Sequence, residues 1–301
     1  MNALECHQVG KRFGRSWALR DCTLAIPDGR VTALVGPNGA GKTTLLHLAV
    51  GLSTATTGTL TVLGGLVPGS HAALAEVAFV AQEAPLYPNL TVGDTIKLAS
   101  CLNDAFDTSF VHDRIKLLDI PLSRKVGKLS GGQHSQLAVA LTLARHPKLL
   151  ILDEPVARLD PLARHDVMST IMTAVADEGL SVILSSHVVA ELQRVCDYLV
   201  LLAAGGVQVI GDVDDLLGEH KVLVGPANDA PHIAAALPVV RTWQGEREVS
   251  LLIRGPEPDL LPPGWRVEAT NLEELVLSYL GSPDANALPG PRPVAPNRIS
   301  A

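Results

Sequence analysis

A glycine-rich segment near the start of the chain has residue types that bind phosphate. Residues 36–43 read GPNGAGKT, which fits the pattern G-x-x-x-x-G-K-[ST]. Its glycines allow backbone N–H groups to curl around a phosphate, Lys42 can reach the outer phosphates, and the Thr43 hydroxyl can hold Mg²⁺. The pattern by itself indicates a nucleotide and no particular reaction. The predicted nucleotide contacts in this segment are Gly36, Pro37, Asn38, Gly39, Ala40, Gly41, Lys42, Thr43 and Thr44.

Two carboxylates follow an apolar run farther along the chain. Asp153 and Glu154 come directly after the predicted strand at 149–152, and the C-terminal edge of such a strand is where ligands bind in open α/β sheets. We expect Asp153 to coordinate Mg²⁺, directly or through water. Glu154 would orient or deprotonate the attacking water. Because Pro155 follows, the alternative interpretation is that both carboxylates are exposed in a turn. The phosphate-binding pattern argues against this alternative.

The elements that must position these residues alternate between strands and helices. VTALVG at 31–36 predicts a buried strand entering the glycine-rich turn, and Lys42 to Val50 predicts a helix leaving it. Further strands are predicted at 57–64, 76–82, 149–153 and 181–186, and further helices at 135–144 and 162–177. This alternation predicts an α/β fold with a mostly parallel sheet covered by helices on both faces.

Composition shifts divide the chain into parts. Residues 1–30 predict antiparallel strands, and a short helical insert is predicted from about residue 83. We expect a large domain at 1–219 with a helical subdomain at about 83–145, followed by a small α+β appendage at 220–281. Residues 282–301 contain five prolines and no hydrophobic period, so a disordered tail is predicted there.

Overall composition excludes several classes of function. The 301 residues are 47% hydrophobic and carry 24 basic and 31 acidic side chains, a net charge of −7, which argues against a broad nucleic-acid-binding surface. The four cysteines show no metal-binding spacing and are expected to be reduced thiols. No run approaches the roughly 20 apolar residues of a membrane span, and the N-terminus lacks the apolar core of a signal peptide. We therefore expect a cytoplasmic protein that reaches the membrane only through a partner.

A resemblance becomes specific at LSGGQ, residues 129–133, which stands 20 residues ahead of the strand beginning at Leu149. Together with the two segments above, this order and spacing resembles the ABC ATPase family over roughly residues 2–215. The resemblance implies a P-loop NTPase fold with ATP and Mg²⁺ bound. Four further positions resemble family motifs: Gln82 of the Q-loop, Asp160 of the D-loop, the switch histidine His187, and Phe13, which would stack on adenine. Trp17 lies close to Phe13 and is the alternative stacking partner.

The resemblance also implies roles for individual residues. Gln82 would sense both Mg²⁺ and the membrane subunit, Glu154 would be the catalytic base, and His187 would contact the γ-phosphate. Ser130 and Gly132 would bind the γ-phosphate of a nucleotide held by the opposite protomer, at a helix N-terminus that favours anions. The remaining signature and D-loop positions of the nucleotide-contacting set are Gly131, Gln133 and Asp160. One copy of the chain could then not form a complete ATP site by itself, so ATP would be bound between two copies.

Only one set of motifs is present, and the insert is short and without heptads. Soluble ABC translation factors carry two sets, and ABC proteins of DNA repair carry a long coiled coil, so a transporter subunit that dimerises below a separate integral-membrane permease is favoured. The insert and the closing segment Asn271–Leu275 look similar to bacterial ABC-2 type exporters. A homodimer is expected, although Arg158 occupies a D-loop position that is usually small. The alternatives are an import-type ATPase subunit and a soluble ABC ATPase that acts on a macromolecular complex.

Overall fold

The computed structural model describes residues 1–157, 159–186, 189–245, 248–258 and 261–282. In chain order the strands are β1 (Asn2–Phe13), β2 (Ser16–Pro27), β3 (Val31–Val35), β4 (Thr57–Val62), β5 (Val77–Val80), β6 (Leu149–Asp153), β7 (Ser181–Ser185), β8 (Tyr198–Ala203), β9 (Gly206–Asp212), β10 (His220–Pro226), β11 (Val239–Gln244), β12 (Glu248–Arg254) and β13 (Arg266–Ala269). The helices are α1 (Lys42–Ala49), α2 (His71–Glu76), α3 (Val92–Leu102), α4 (Thr108–Leu117), α5 (Gly131–Leu143), α6 (Pro161–Glu178), α7 (Val189–Leu192), α8 (Val213–Gly218), α9 (Ala230–Ala236) and α10 (Leu272–Leu280).

The central sheet has six strands in the order β5-β6-β7-β3-β8-β9. Every neighbouring pair is parallel except β8 and β9, which are antiparallel. All five residues of β3, β6 and β7 are buried, as expected for parallel strands covered on both faces. The mostly parallel sheet predicted from the sequence is confirmed.

Alternate residues of the central strands face two different layers, because side chains on a strand point to opposite faces. Leu34 and Ile151 lie in one cluster with α1 and the N-terminal strands. Leu150 and Leu184 lie in the other cluster, with residues of α5 to α8 and α10. The phosphate-binding loop therefore leaves the middle of a sheet that is fixed from both sides.

The N-terminal sheet is antiparallel, with strand order β2-β1-β4, which confirms the expectation for the first 30 residues and adds β4. The insert has its own small core between α3, α4 and α5, built on Val92, Ile115 and Leu137. Helix α5 begins at Gly131, so the predicted start at Ser135 was one turn late. Its first turn is polar, and apolar periodicity therefore gave no signal there.

The C-terminal region adds a four-stranded antiparallel sheet in the order β11-β12-β10-β13. One face has a separate core around Leu223, Leu251 and Trp265. The other face of this sheet contributes Val222 and Leu252 to the main cluster of buried residues.

Sequence patterns had not predicted α2, β9 or α9. None of the helices in the described ranges has the length and apolar composition of a membrane span.

The cysteine thiols Cys6, Cys22, Cys101 and Cys196 are all free. Burial raises the pKa of Cys22 and Cys196 to about 12, so both remain protonated at neutral pH. No cluster of three or more His, Cys, Asp and Glu side chains that could hold a metal occurs in the described part of the chain.

Candidate nucleotide-binding site

The glycine-rich loop between β3 and α1 is shaped by close backbone contacts. Gly36 has φ 155° and Gly41 has φ 103°. A Cβ at Gly36 would lie 2.3 Å from the carbonyl oxygen of Leu202, and one at Gly41 would lie 2.6 Å from that of Ala18. Both positions therefore require glycine. The N-terminus of α1 has no side-chain cap. Its first N–H groups, which carry a partial positive charge, are therefore available to bind an anion.

Lys42, the first residue of α1, is only 7% exposed. Its ammonium donates hydrogen bonds to the carbonyl oxygens of Gly36 at 2.7 Å and Pro37 at 3.3 Å. Both acceptors belong to the loop that precedes the helix, so the cation lies over that loop. An ammonium group held there can contact a phosphate that the loop N–H groups bind.

The Ser185 hydroxyl joins the Asp153 carboxylate to the backbone of Glu154. Asp153 ends β6 and is 4% exposed, and its Oδ1 accepts a hydrogen bond of 2.7 Å from Ser185 Oγ. The backbone N–H of Glu154 donates to Ser185 Oγ at 2.9 Å. Glu154 has φ 48°, an uncommon left-handed conformation that turns the chain away from the strand direction. Ser185 therefore fixes both the buried aspartate and the turn that carries the glutamate.

Gln82 and Glu154 meet at the same edge of the sheet. Gln82 follows β5, which pairs with β6, and its Nε2 donates to Glu154 Oε2 at 3.3 Å. Both side chains border one cleft, of about 490 Å³, which also has Ala18 in its wall. The remaining lining residues are Asn38, Gly39, Ala40, Gly41, Lys42, Thr43 and Thr44. The structure thus brings seven of the nine predicted phosphate-binding residues together with the predicted water-activating residue, whereas Gly36, Pro37 and the buried Asp153 do not line the cleft.

The two aromatic candidates lie on different faces of the β1–β2 hairpin. Phe13 pairs with Ser16, and Arg12 pairs with Trp17. Cross-strand partners share a face, so Phe13 lies with Ser16 on one face of the hairpin and Trp17 lies with Arg12 on the other. Ala18, which borders the cleft, lies at the register irregularity next to the second pair. The Trp17 ring lies against the backbone of Gly10, where an added Cβ would come 2.9 Å from it. This arrangement favours Phe13, which is 57% exposed.

Ser130 lies outside this cleft, which none of the described signature residues lines. It is exposed and is the N-cap of α5. Its Oγ accepts from Gln133 N, and Gln133 Oε1 accepts from Ser130 N, each at 3.2 Å. Asp160 similarly caps α6, where its Oδ1 accepts from the N–H groups of Leu162 and Ala163. Ser130 and Asp160, both members of the predicted nucleotide-contacting set, are thus helix N-caps.

Comparisons with known proteins agree with these motifs. The ABC transporter family model matches residues 19–157. The Nod factor export ATP-binding protein I of Rhizobium johnstonii is 31% identical over 84% of this chain and 78% of its own length. The Fe(3+) ions import ATP-binding protein FbpC 1 of Rhodococcus jostii is 30% identical over 93% of this chain and 85% of its own length.

The chain belongs to the ABC transporter ATP-binding protein family. A solved structure described as the ATP binding subunit of an ABC transporter superposes with a TM-score of 0.64 at 27% identity, over 71% of this chain and 91% of that one. The chain is therefore a P-loop ATPase of the ABC type, and its nucleotide is ATP.

His187 and Arg158 lie outside the described residues, as does the tail from 283. Burial lowers the pKa of the half-buried His134 from 6.5, which favours the neutral imidazole at the residue after the ABC signature. Ser185 was not among the sequence-predicted site residues. Its position at the end of a strand, two residues before His187, the predicted switch histidine, is the signal that could have identified it.

Proposed function

We propose that this ABC ATPase forms a dimer that encloses two ATP molecules and drives a separate integral-membrane permease. The observation that carries the proposal is the separation of the two halves of the site. Lys42 borders the cleft, whereas Ser130 caps a helix outside it. A second copy can supply the missing helix N-terminus to the γ-phosphate, which makes ATP the bridge between protomers.

In the proposed reaction each group around the cleft has one task. The loop N–H groups and Lys42 hold the phosphates, and Phe13 stacks on adenine. Glu154 orients and deprotonates the attacking water, with its carboxylate held by Gln82. His187 contacts the γ-phosphate. Once hydrolysis removes the bridging phosphate, the two protomers separate, and this opening is the motion delivered to the permease.

The donors near the cleft suit Mg²⁺. The candidates are the Thr43 hydroxyl, the Gln82 amide oxygen and the Asp153 carboxylate, all of them oxygen ligands. Mg²⁺ is usually bound by one or two protein groups together with substrate phosphates and waters, so a few donors are enough. Bound there, the ion would neutralise charge on the phosphates. Ser185 would keep the Asp153 carboxylate oriented through its hydrogen bond.

An apolar groove supports the proposal of a membrane-protein partner. It lies between the helical insert and the end of β5, and its wall includes Phe79, Tyr87 and Leu98. Tyr87 is 67% exposed, and Leu52 and Leu102 at the rim are 67% and 73% exposed. Gln82 follows the strand that contributes Phe79 to the groove. We propose that a helix of the permease binds here and communicates with the nucleotide through Gln82.

We further propose export as the direction and a homodimer as the assembly. Export is supported by the short insert and by the small closing appendage. Relatives named for export and for import have similar identity to this chain.

The proposed domain division places the ATPase domain at 1–219, with its helical subdomain at about 83–145. The α+β appendage occupies 220–281, and the protein resides on the cytoplasmic side of the membrane.

The deciding experiment uses Glu154→Gln, with Glu257→Gln in the appendage as the matched control. Glu154→Gln should bind ATP with normal affinity, lose on the order of 10²-fold or more in turnover, and form a dimer detectable by light scattering only with ATP. Glu257→Gln should hydrolyse ATP normally. Wild-type turnover in Glu154→Gln, or a monomer saturated with ATP, would contradict the proposal.

The partner is tested by affinity purification from solubilised membranes. The wild-type chain and the control Leu277→Asp, altered at an exposed position on α10, should retain a polytopic membrane protein. The groove variant Leu98→Asp should lose it. Retention of ribosomes or DNA instead would favour a non-transport ABC ATPase.

The direction of transport is tested in inside-out vesicles. An exporter should accumulate its cargo with ATP, whereas an importer should not.

A further inference from the structure

Three helices meet at the side chain of Arg114. This half-buried residue of α4 donates through Nη2 to Oε1 of Gln136 in α5 at 2.8 Å. The same nitrogen donates to the backbone oxygen of Asp166 in α6 at 3.3 Å. The guanidinium carries donors in a fixed planar geometry, so two acceptors on different helices are held at a defined separation.

The contact of Arg114 with the two helices holds them in a defined geometry and does not pair the guanidinium with an opposite charge. Its two acceptors are neutral oxygens, an amide and a backbone carbonyl. The Nε of Arg114 is buried and has no hydrogen-bond partner within the described ranges. Burying a donor unpaired costs free energy, so the Nη2 hydrogen bonds must hold the side chain in place.

The same two helices also contact each other at their N-terminal ends. A Cβ added at Gly132, in the first turn of α5, would lie 2.8 Å from Cβ of Ala163 in the first turn of α6. Arg114 bridges the helices about one turn farther along. Both helices also contribute apolar residues farther along to the main core cluster, and the two contacts described here fix their first turns relative to each other. The caps of these helices are Ser130 and Asp160.

We propose that Arg114 is a positioning residue for the half-site offered to the partner protomer. It locks the helix that begins after Ser130 to the helix that begins after Asp160, so that both caps reach the partner's nucleotide in one arrangement. This proposal rests on the ATP-bridged dimer proposed above. Arg114 itself touches no nucleotide.

The first test measures amide hydrogen exchange in the full-length, nucleotide-free protein. Arg114→Met keeps an unbranched apolar stem and removes the guanidinium donors, and Arg124→Met, at an exposed arginine of the same insert, is the control. Arg114→Met should exchange faster at 131–136 and 161–166 than the wild type, with no change at 36–49. Exchange equal to that of the control would overturn the proposal, and so would an equal acceleration throughout the chain.

The second test separates positioning from general destabilisation. In the Glu154→Gln background, Arg114→Met should raise the ATP concentration for half-maximal dimerisation by about tenfold, the scale of a lost charged hydrogen bond. ADP affinity of the monomer should not change, because the loop at 36–43 determines it. Unchanged dimerisation, or a matching loss of ADP affinity, would refute the role. If Glu154→Gln with Arg114 intact never dimerises, the dimer proposal fails, and the exchange measurement alone then decides whether Arg114 locks the helix pair.

Discussion

Nε2 of Gln82 lies 3.3 Å from Oε2 of Glu154 and donates a hydrogen bond to it across the cleft, although the two residues are 72 positions apart. The pairing of β5 with β6 places them at one edge of the sheet. The amide therefore restricts the direction of the carboxylate that we assign to water activation. It also connects this carboxylate to the groove proposed for the permease.

Replacing Gln82 with Ala should lower turnover while leaving ATP affinity nearly unchanged, because the loop and Lys42 supply most of the binding. We expect kcat to fall by roughly tenfold or more, as for a lost positioning contact. Steady-state kinetics with and without the permease measures this. Gln244→Ala, at an exposed position of β11, is the control. A rise in KM at constant kcat would place Gln82 in ATP binding instead.

Ser185→Ala should lower turnover by more than the accompanying loss of folding stability explains. The hydroxyl donates to Asp153 and accepts from the N–H of Glu154, so its loss leaves buried polar groups unpaired, which costs about 1–3 kcal/mol. Urea unfolding measures this free energy. Turnover should fall, and the Mg²⁺ concentration needed for half-maximal activity should rise.

Ser181→Ala is a matched control at the opposite end of the same strand. Its hydroxyl also donates to a carboxylate, that of Asp28, and accepts a backbone N–H, that of Gly29. This variant should lose similar stability and retain its Mg²⁺ dependence. An identical activity loss in both serine variants would mean that Ser185 acts only through the stability of the sheet.

Phe13→Ala should weaken ATP binding, because an aromatic ring stacked on a base contributes about 1–3 kcal/mol. Fluorescence titration with an ATP analogue measures the affinity. Trp17→Ala should have a smaller effect, since that ring lies against Gly10 on the other face of the hairpin. The reverse order of the two effects would assign adenine stacking to Trp17.

The stability of the protein should fall in mild acid because of His220. This residue is fully buried, with Nδ1 2.6 Å from the carbonyl oxygen of Leu216 and Nε2 2.8 Å from the Tyr279 hydroxyl. Burial lowers its pKa below 6.5. The unfolded chain therefore binds a proton that the folded chain excludes. This contribution to stability is present above pH 6.5 and is lost as the pH falls through the folded-state pKa.

Thermal unfolding between pH 5 and 8 tests the expectation for His220. His220→Gln should reduce the slope of melting temperature against pH, even if it lowers the melting temperature at every pH. His232→Gln, at an exposed histidine of α9, should keep the wild-type slope. An unchanged slope in His220→Gln would show that other groups determine the pH dependence.

The sequence by itself determined the nucleotide chemistry of this ABC ATPase. The loop at 36–43 and the signature at 129–133 are contiguous segments whose function depends on local backbone geometry, so glycine spacing and one lysine or serine identify them. The alternation of apolar strands and helices similarly predicted the parallel sheet. Apolar periodicity missed the start of α5 because the first turn is polar, whereas the capping box formed by Ser130 and Gln133 is a local signal that marks it.

Only the tertiary structure decided which side chains act on one another. The contact of Ser185 with Asp153 depends on the register of β7 against β6, and the choice between Phe13 and Trp17 depends on which of the two rings lies against the hairpin backbone. Arg114 reaches two helices that begin well after it in the chain. Such contacts form between elements distant in sequence, and their geometry is determined by the packing of the whole fold.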